Sequence, residues 1–165
     1  MTSIYDGEML NAYRAARNSD DPSTQTGAVL IGGKITEFVW GWNHFPVGVD
    51  AKYWHGEKAD KYARVVHAET GVLLEAARQG VSTLGATMVA PWAACSNCAK
   101  HISDAGIKRL VRHSYDDSGV SRESHWYQDV LIGDEIMTEA GVEIIEIAPL
   151  NFGIELRREG KIILV

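Results

Sequence analysis

The stretch ATMVAPWAACSNCAKHISDAGIKRLVR, residues 86–112, decides how this chain folds. Ala86 to Ala90 is a short apolar run of strand length, Ser96 to Ala105 follows a helical period and stops at Gly106, and Lys108 to Arg112 reads as a second strand. Downstream the alternation continues, with a helix predicted from about Ser124 to Ala140, a stop at Gly141 and a strand over Val142 to Ile147. Upstream, His67 to Gln79 is helical by pattern, with Val72, Leu73 and Ala76 facing inward and a stop at Gly80. Before it, Gly27 to Ile31 and Ile35 to Trp42 flank Gly32-Gly33 as a β-hairpin. Tyr5 to Arg17 carries Met9, Leu10, Tyr13 and Ala16 at helical spacing and then meets the breakers Asn18 to Pro22. A βαβαβ run behind a hairpin predicts an α/β layered domain with a mixed sheet and right-handed crossovers.

Two segments stand outside this alternation. Asn43 to Lys61 is irregular, with Pro46, Gly48 and Gly56 beside His44, Trp54 and His55, and a loop of that length predicts an active-site or regulatory role. Its histidines and Trp54 are read as packing locally, over a second metal or a regulatory nucleotide, and most of Lys52, Lys58, Lys61 and Arg78 as solvated surface, over phosphate ligands. Residues 1–150 form the expected domain; residues 151–165 form an extension, a small hairpin around Arg158-Glu159-Gly160 that serves as an added edge or an oligomer contact.

The chain has 165 residues and 45% hydrophobic content, enough for one core without disulfide support. A net charge of −6 opposes a broad basic surface, so a nucleic-acid polymer is not the expected partner. A small anion is compatible, since a few local cations or backbone N–H groups hold one phosphate. No basic-then-apolar leader and no membrane-length apolar run occur, and the only two cysteines sit three positions apart. A cytoplasmic, reducing setting and a metal or redox role for the pair are expected.

His67-Ala68-Glu69 opens one predicted helix and Cys95-Ser96-Asn97-Cys98 another. Hydrolytic zinc sites take three protein ligands and keep a fourth position for water, and His67, Cys95 and Cys98 fill that count. Helix starts favour the thiolate. Glu69, two residues past His67, is placed to move protons while the imidazole reaches the metal. Cys95, Cys98 and His101 form a competing ligand set.

His-x-Glu with a later Cys-x-x-Cys resembles the signature of zinc deaminases. From Asp21 to Pro149 the chain resembles the deoxycytidylate (dCMP) deaminase family of the cytidine-deaminase-like superfamily. The likeness runs through Asp21-Pro22-Ser23-Thr24-Gln25-Thr26-Gly27, Gly41-Trp42-Asn43, Lys61-Tyr62, His67-Ala68-Glu69, Cys95 to Lys100, Asp104 to Ile107, Tyr115-Asp116-Asp117 and Ala140-Gly141-Val142. It implies a three-layer α/β/α cytidine-deaminase-like fold with a mixed sheet of about five strands. It also implies Zn2+ as cofactor, a homo-oligomer (dimer or hexamer), and hydrolytic deamination of a cytosine nucleotide, dCMP to dUMP and ammonia. Zinc-activated water would attack C4, with Glu69 shuttling protons to N3 and the amine. By the same resemblance, Asn43 would contact sugar or base, Ala68 would present its backbone to the exocyclic amine, Tyr115 would pack beside the substrate, and Thr24 would lie near the phosphate.

The chain departs from that pattern in three places. Trp92-Ala93-Ala94 separates Pro91 from Cys95, Thr70-Gly71 stands where leucine-asparagine is common, and His44 stands where glycine is common. These departures leave the zinc chemistry intact and open the base pocket to a C5-substituted dCMP or another cytosine nucleotide. A tRNA adenosine deaminase, similar at Gly41-Trp42-Asn43 and His67-Ala68-Glu69, is opposed by the acidic balance. A non-catalytic zinc module is opposed by Glu69, for which a closed structural site has no use.

Overall fold

Alternation along three short strands sets the architecture. The computed structural model describes residues 3–115 and 126–165. The elements run α1 (Asp6–Ala16), β1 (Gly27–Gly32), β2 (Ile35–Trp42), a 3-10 turn (Ala51–Trp54), α2 (Lys58–Tyr62), α3 (Ala68–Arg78), β3 (Thr87–Val89) and α4 (Ser96–Asp104). They continue with β4 (Arg109–Arg112), α5 (Tyr127–Glu139), β5 (Glu143–Glu146), β6 (Glu155–Arg158) and β7 (Lys161–Leu164). Ser124 and His125, at the expected start of α5, lie outside the described residues.

The main sheet is five-stranded in the order β2-β1-β3-β4-β5. β1 is antiparallel to β2 and β3, whereas β3, β4 and β5 run parallel, so the sheet is mixed. Side chains alternate across it. Ala28, Leu30, Met88, Ala90 and Leu110 face α3, α4 and α5, packing with Val72, Ala76, Ile102 and Met137. Val29, Val89 and Val111 face the other way, against Met9, Ala12, Tyr13 and Ala16 of α1 and Leu156 of β6. The fold is therefore the expected α/β layered one, with helices on both faces of a mixed five-stranded sheet and two separately packed cores. Val72, Leu73 and Ala76 are buried as the helical period requires.

The loop after β2 is more regular than its sequence reads, holding the 3-10 turn and α2. Phe45 stacks on Trp54 with ring centroids 3.7 Å apart, and His44 Nδ1 lies 2.8 Å from the Trp42 carbonyl, so these side chains do pack locally.

β6 and β7 form a two-stranded sheet of their own rather than extending the main sheet, because Leu156, 2% exposed, seats β6 on the α1 face. Arg158 pairs with Lys161 across a two-residue turn in which Glu159 and Gly160 have φ of 50° and 75°. Both positive angles belong to the hairpin turn whose twist matches the strands. Among the described residues Glu159 alone adopts a positive φ without being glycine. None of the described helices is long and apolar enough to cross a membrane.

Candidate active site

Two helices begin at one point. His67 and Cys95 are the residues just before the first turns of α3 and α4, with ψ of 155° and 164°, so each is still extended as its helix starts. Backbone N–H groups at helix starts lack intrahelical partners. The Cys98 N–H donates to Cys95 Sγ at 3.4 Å, which favours the thiolate at Cys95. Cys98 follows one turn later and aims its sulfur at the same point.

His67 Nδ1 lies 3.5 Å from Cys95 Sγ and 3.5 Å from Cys98 Sγ, and the three donor atoms fall within 4.8 Å of one another. Donors on one tetrahedral zinc, with bonds of about 2.1 Å to nitrogen and 2.3 Å to sulfur, stand about 3.6 Å apart. The donor set therefore fits zinc in spacing and in softness. Electrostatics point the same way. Hydrogen bonding from Cys98, ahead of the imidazole, brings the Cys95 thiol well below its ordinary range. The bond to Cys95 raises the His67 imidazole to about 9 and drives the Cys98 thiol far up. The pull on positive charge between the sulfurs is the pull that would hold Zn2+. His101 is turned away, with Nδ1 3.0 Å from Thr70 Oγ1, so the competing set with His101 does not form; the same hydroxyl lies 3.6 Å from Cys98 Sγ.

Glu69 sits in the first turn of α3, where a carboxylate meets the positive end of the helix. Its Oε2 is 3.8 Å from Cys98 Sγ, and burial pushes its carboxyl up. A raised carboxyl beside a metal position is suited to taking and returning a proton.

These groups form the floor of a cavity of about 890 Å³. Trp126 stands over the floor, its ring 6.1 Å from His67 and edge-on to Tyr62 at 5.4 Å. Ala68 and Val130 line the same space beside the aromatic rings of Tyr62, Trp92 and Trp126. α5 reaches this loop because Gly133 carries no side chain: a Cβ there would stand 2.6 Å from the Ala94 carbonyl. Asp129 of α5 accepts from Ser96 Oγ at 2.6 Å and fixes the start of α4.

The rim is tied by a polar network. Asn43 accepts from the Thr26 N–H at 2.8 Å and donates to Asp21 Oδ2 at 3.0 Å and to the Thr24 carbonyl at 2.8 Å. Asp21, 2% exposed, also takes Lys61 Nζ at 2.7 Å and the backbone N–H groups of Ser23 and Thr24.

Of the expected residues, the structure brings His67, Ala68, Glu69, Cys95, Thr24 and Asn43 to this cavity, and Cys98 to the metal group beneath it. Asn43 lines it with both amide hydrogens already directed at the chain. Tyr115 is not among the described lining residues. Its hydroxyl donates to Asp134, and the Arg112 guanidinium lies 4.6 Å above its ring, so it packs against α5 rather than beside the floor. Asp116 and Asp117 lie outside the described residues. Sequence reasoning missed Tyr62, Trp126 and Arg158 as lining groups; only Tyr62 left a trace, in the Lys61-Tyr62 motif.

Residues 5–114 match the family model described as the cytidine and deoxycytidylate deaminase zinc-binding region. The deoxycytidylate deaminase of Enterobacteria phage T2 is 36% identical over 98 residues, 59% of this chain and 46% of that protein. An uncharacterized deaminase from the luxG 3' region of Aliivibrio fischeri is 31% identical over 126 residues, 76% of this chain and 81% of that one. The matched part thus spans just under half of the phage protein and most of the bacterial one. In fold, the chain resembles the dCMP deaminase of cyanophage S-TIM5, solved in complex with dCMP and dUMP, with a TM-score of 0.65 at 20% identity over 89% of this chain and 99% of that one.

Proposed function

The chain belongs to the family of the cytidine and deoxycytidylate deaminase zinc-binding region, and from that premise we propose that it hydrolyses a cytosine nucleotide, converting dCMP and water to dUMP and ammonia. The observation that carries this reading is the convergence of His67, Cys95 and Cys98 on one point, with His67, Cys95 and Glu69 on the floor of one aromatic-walled cavity. Zinc bound by the first three would lower the pKa of a water to about 7 and so supply the nucleophile at neutral pH.

The chain's own groups account for the rest. The substrate ring lies between Trp126 and the start of α3, with C4 toward the floor. Glu69 takes a proton from the attacking water as the C4–O bond forms and passes it to N3. It then takes the hydroxyl proton and returns it to the exocyclic amine. The C4–N bond breaks, ammonia leaves, and C4 keeps the oxygen as a carbonyl. The Ala68 backbone orients the amine, while Thr24 lies on the phosphate side of the cavity. Asn43 acts as a positioning residue, holding the Asp21–Thr26 turn through its three hydrogen bonds. Zn2+ is the cofactor of this reading and a homo-oligomer its working form.

An ammonia-release screen of zinc-loaded protein against cytidine, deoxycytidine, CMP, dCMP, dCTP and 5-methyl-dCMP tests it. dCMP is expected to give the highest kcat/KM. No release from any cytosine nucleotide overturns the reading; preference for 5-methyl-dCMP refines the substrate to a C5-substituted one.

A further inference from the structure

The cavity's third wall comes from a part of the chain beyond the family match, which ends at residue 114. Arg158, Glu159 and Gly160, at the turn of the β6–β7 hairpin, line the same space as His67 and Glu69. The hairpin is fastened there by backbone and side chain alike. Gln25 N–H donates to the Arg157 carbonyl at 2.9 Å and Gly160 N–H to the Ser23 carbonyl at 2.9 Å. Arg157 N–H donates to Gln25 Oε1 at 3.0 Å and Glu159 N–H to Thr24 Oγ1 at 3.2 Å. The Arg158 guanidinium lies 4.7 Å from the ring centre of Trp92, which is held edge-on by Tyr13. Trp92 is one of the departures from the family pattern, so an unusual residue of the base loop and an added hairpin meet each other.

Charge makes the placement specific. The chain carries −6 overall, yet this rim brings together Lys58, Lys61 and Arg158. Lys61 is committed to Asp21, and Lys58 stands on the exposed side of short α2. Glu159 is exposed at the outer edge of the turn. Arg158, half-buried, lines the cavity together with Ser23 and Thr24, and a planar guanidinium seated on an indole presents N–H groups suited to gripping a phosphate.

We propose that Arg158 binds the substrate's 5'-phosphate, so that the C-terminal hairpin selects nucleotide over nucleoside. The proposal rests on the cytosine-nucleotide reading above and adds to it the residue that recognises the anion. Wild type, R158Q and R158K, each full length and zinc-loaded, are titrated calorimetrically with dUMP and with deoxyuridine, and are assayed for ammonia release from dCMP and deoxycytidine. R158Q is expected to weaken dUMP about 30-fold more than deoxyuridine, with the same loss of discrimination in kcat/KM carried by KM; R158K recovers part of it. Equal weakening of both ligands, no change in either, or a wild type that does not prefer dUMP to deoxyuridine overturns the proposal. A wild type that prefers dUMP yet releases no ammonia overturns the deaminase reading instead, and the R158Q binding ratio still decides the role of Arg158.

Discussion

His67 and Glu69, like Cys95 and Cys98, lie within three positions of each other at the start of one helix, whereas the rim joins Thr24 to Glu159 across 135 positions. The floor is local: a helix start fixes where each side chain points, and two such starts need only be brought face to face. The rim is assembled, each member held by a partner far away in sequence. A change on the floor should therefore remove chemistry and leave the fold, while a change on the rim should move affinity and stability together.

The largest effect belongs to the metal ligands. C98A, or dialysis of the wild type against a chelator, is expected to take ammonia release to background and zinc content to near zero, and added Zn2+ should restore only the dialysed wild type. E69A comes next: turnover falls about 10⁴-fold with zinc content and melting temperature retained, read by ammonia release and metal analysis. Loss of zinc from E69A would erase the distinction between proton carrier and ligands. On the rim, N43A strips three hydrogen bonds from the Asp21–Thr26 turn and is expected to cost about 2 kcal/mol in chemical denaturation and to raise KM. A fall in kcat alone, with stability intact, would make Asn43 a floor residue. The smallest effect is a gain: E159N places a residue better suited to positive φ in the hairpin turn and should add about 0.5 kcal/mol.

The same division explains what the sequence disclosed. The two helix starts were legible because spacing within one turn is a local property, and the mixed sheet because the strand and helix periods alternate. Arg158 left no such mark. It reads as one more charged residue in a polar turn, and it reaches the cavity through the burial of Leu156 against α1 and the hydrogen bonds of the hairpin to Ser23, Thr24 and Gln25. Trp126 is hidden similarly, since its place above His67 depends on how α5 packs on the Ala94–Cys95 backbone at Gly133. Tyr115, a strand-end tyrosine in a familiar motif, is held by Asp134 and Arg112, partners that no local spacing shows. Asn43 is intermediate: its Gly-x-Asn turn puts it on the cavity lining, with its amide bonded to the chain itself.

Two departures from the family pattern, His44 and Gly71, touch each other. A Cβ on Gly71 would stand 3.4 Å from the His44 ring and 3.2 Å from the Trp42 carbonyl, so the small residue on α3 accommodates the large one after β2. Enlarging residue 71 is limited first by the Trp42 backbone carbonyl, whichever side chain stands at 44, with the His44 ring in ordinary contact beside it.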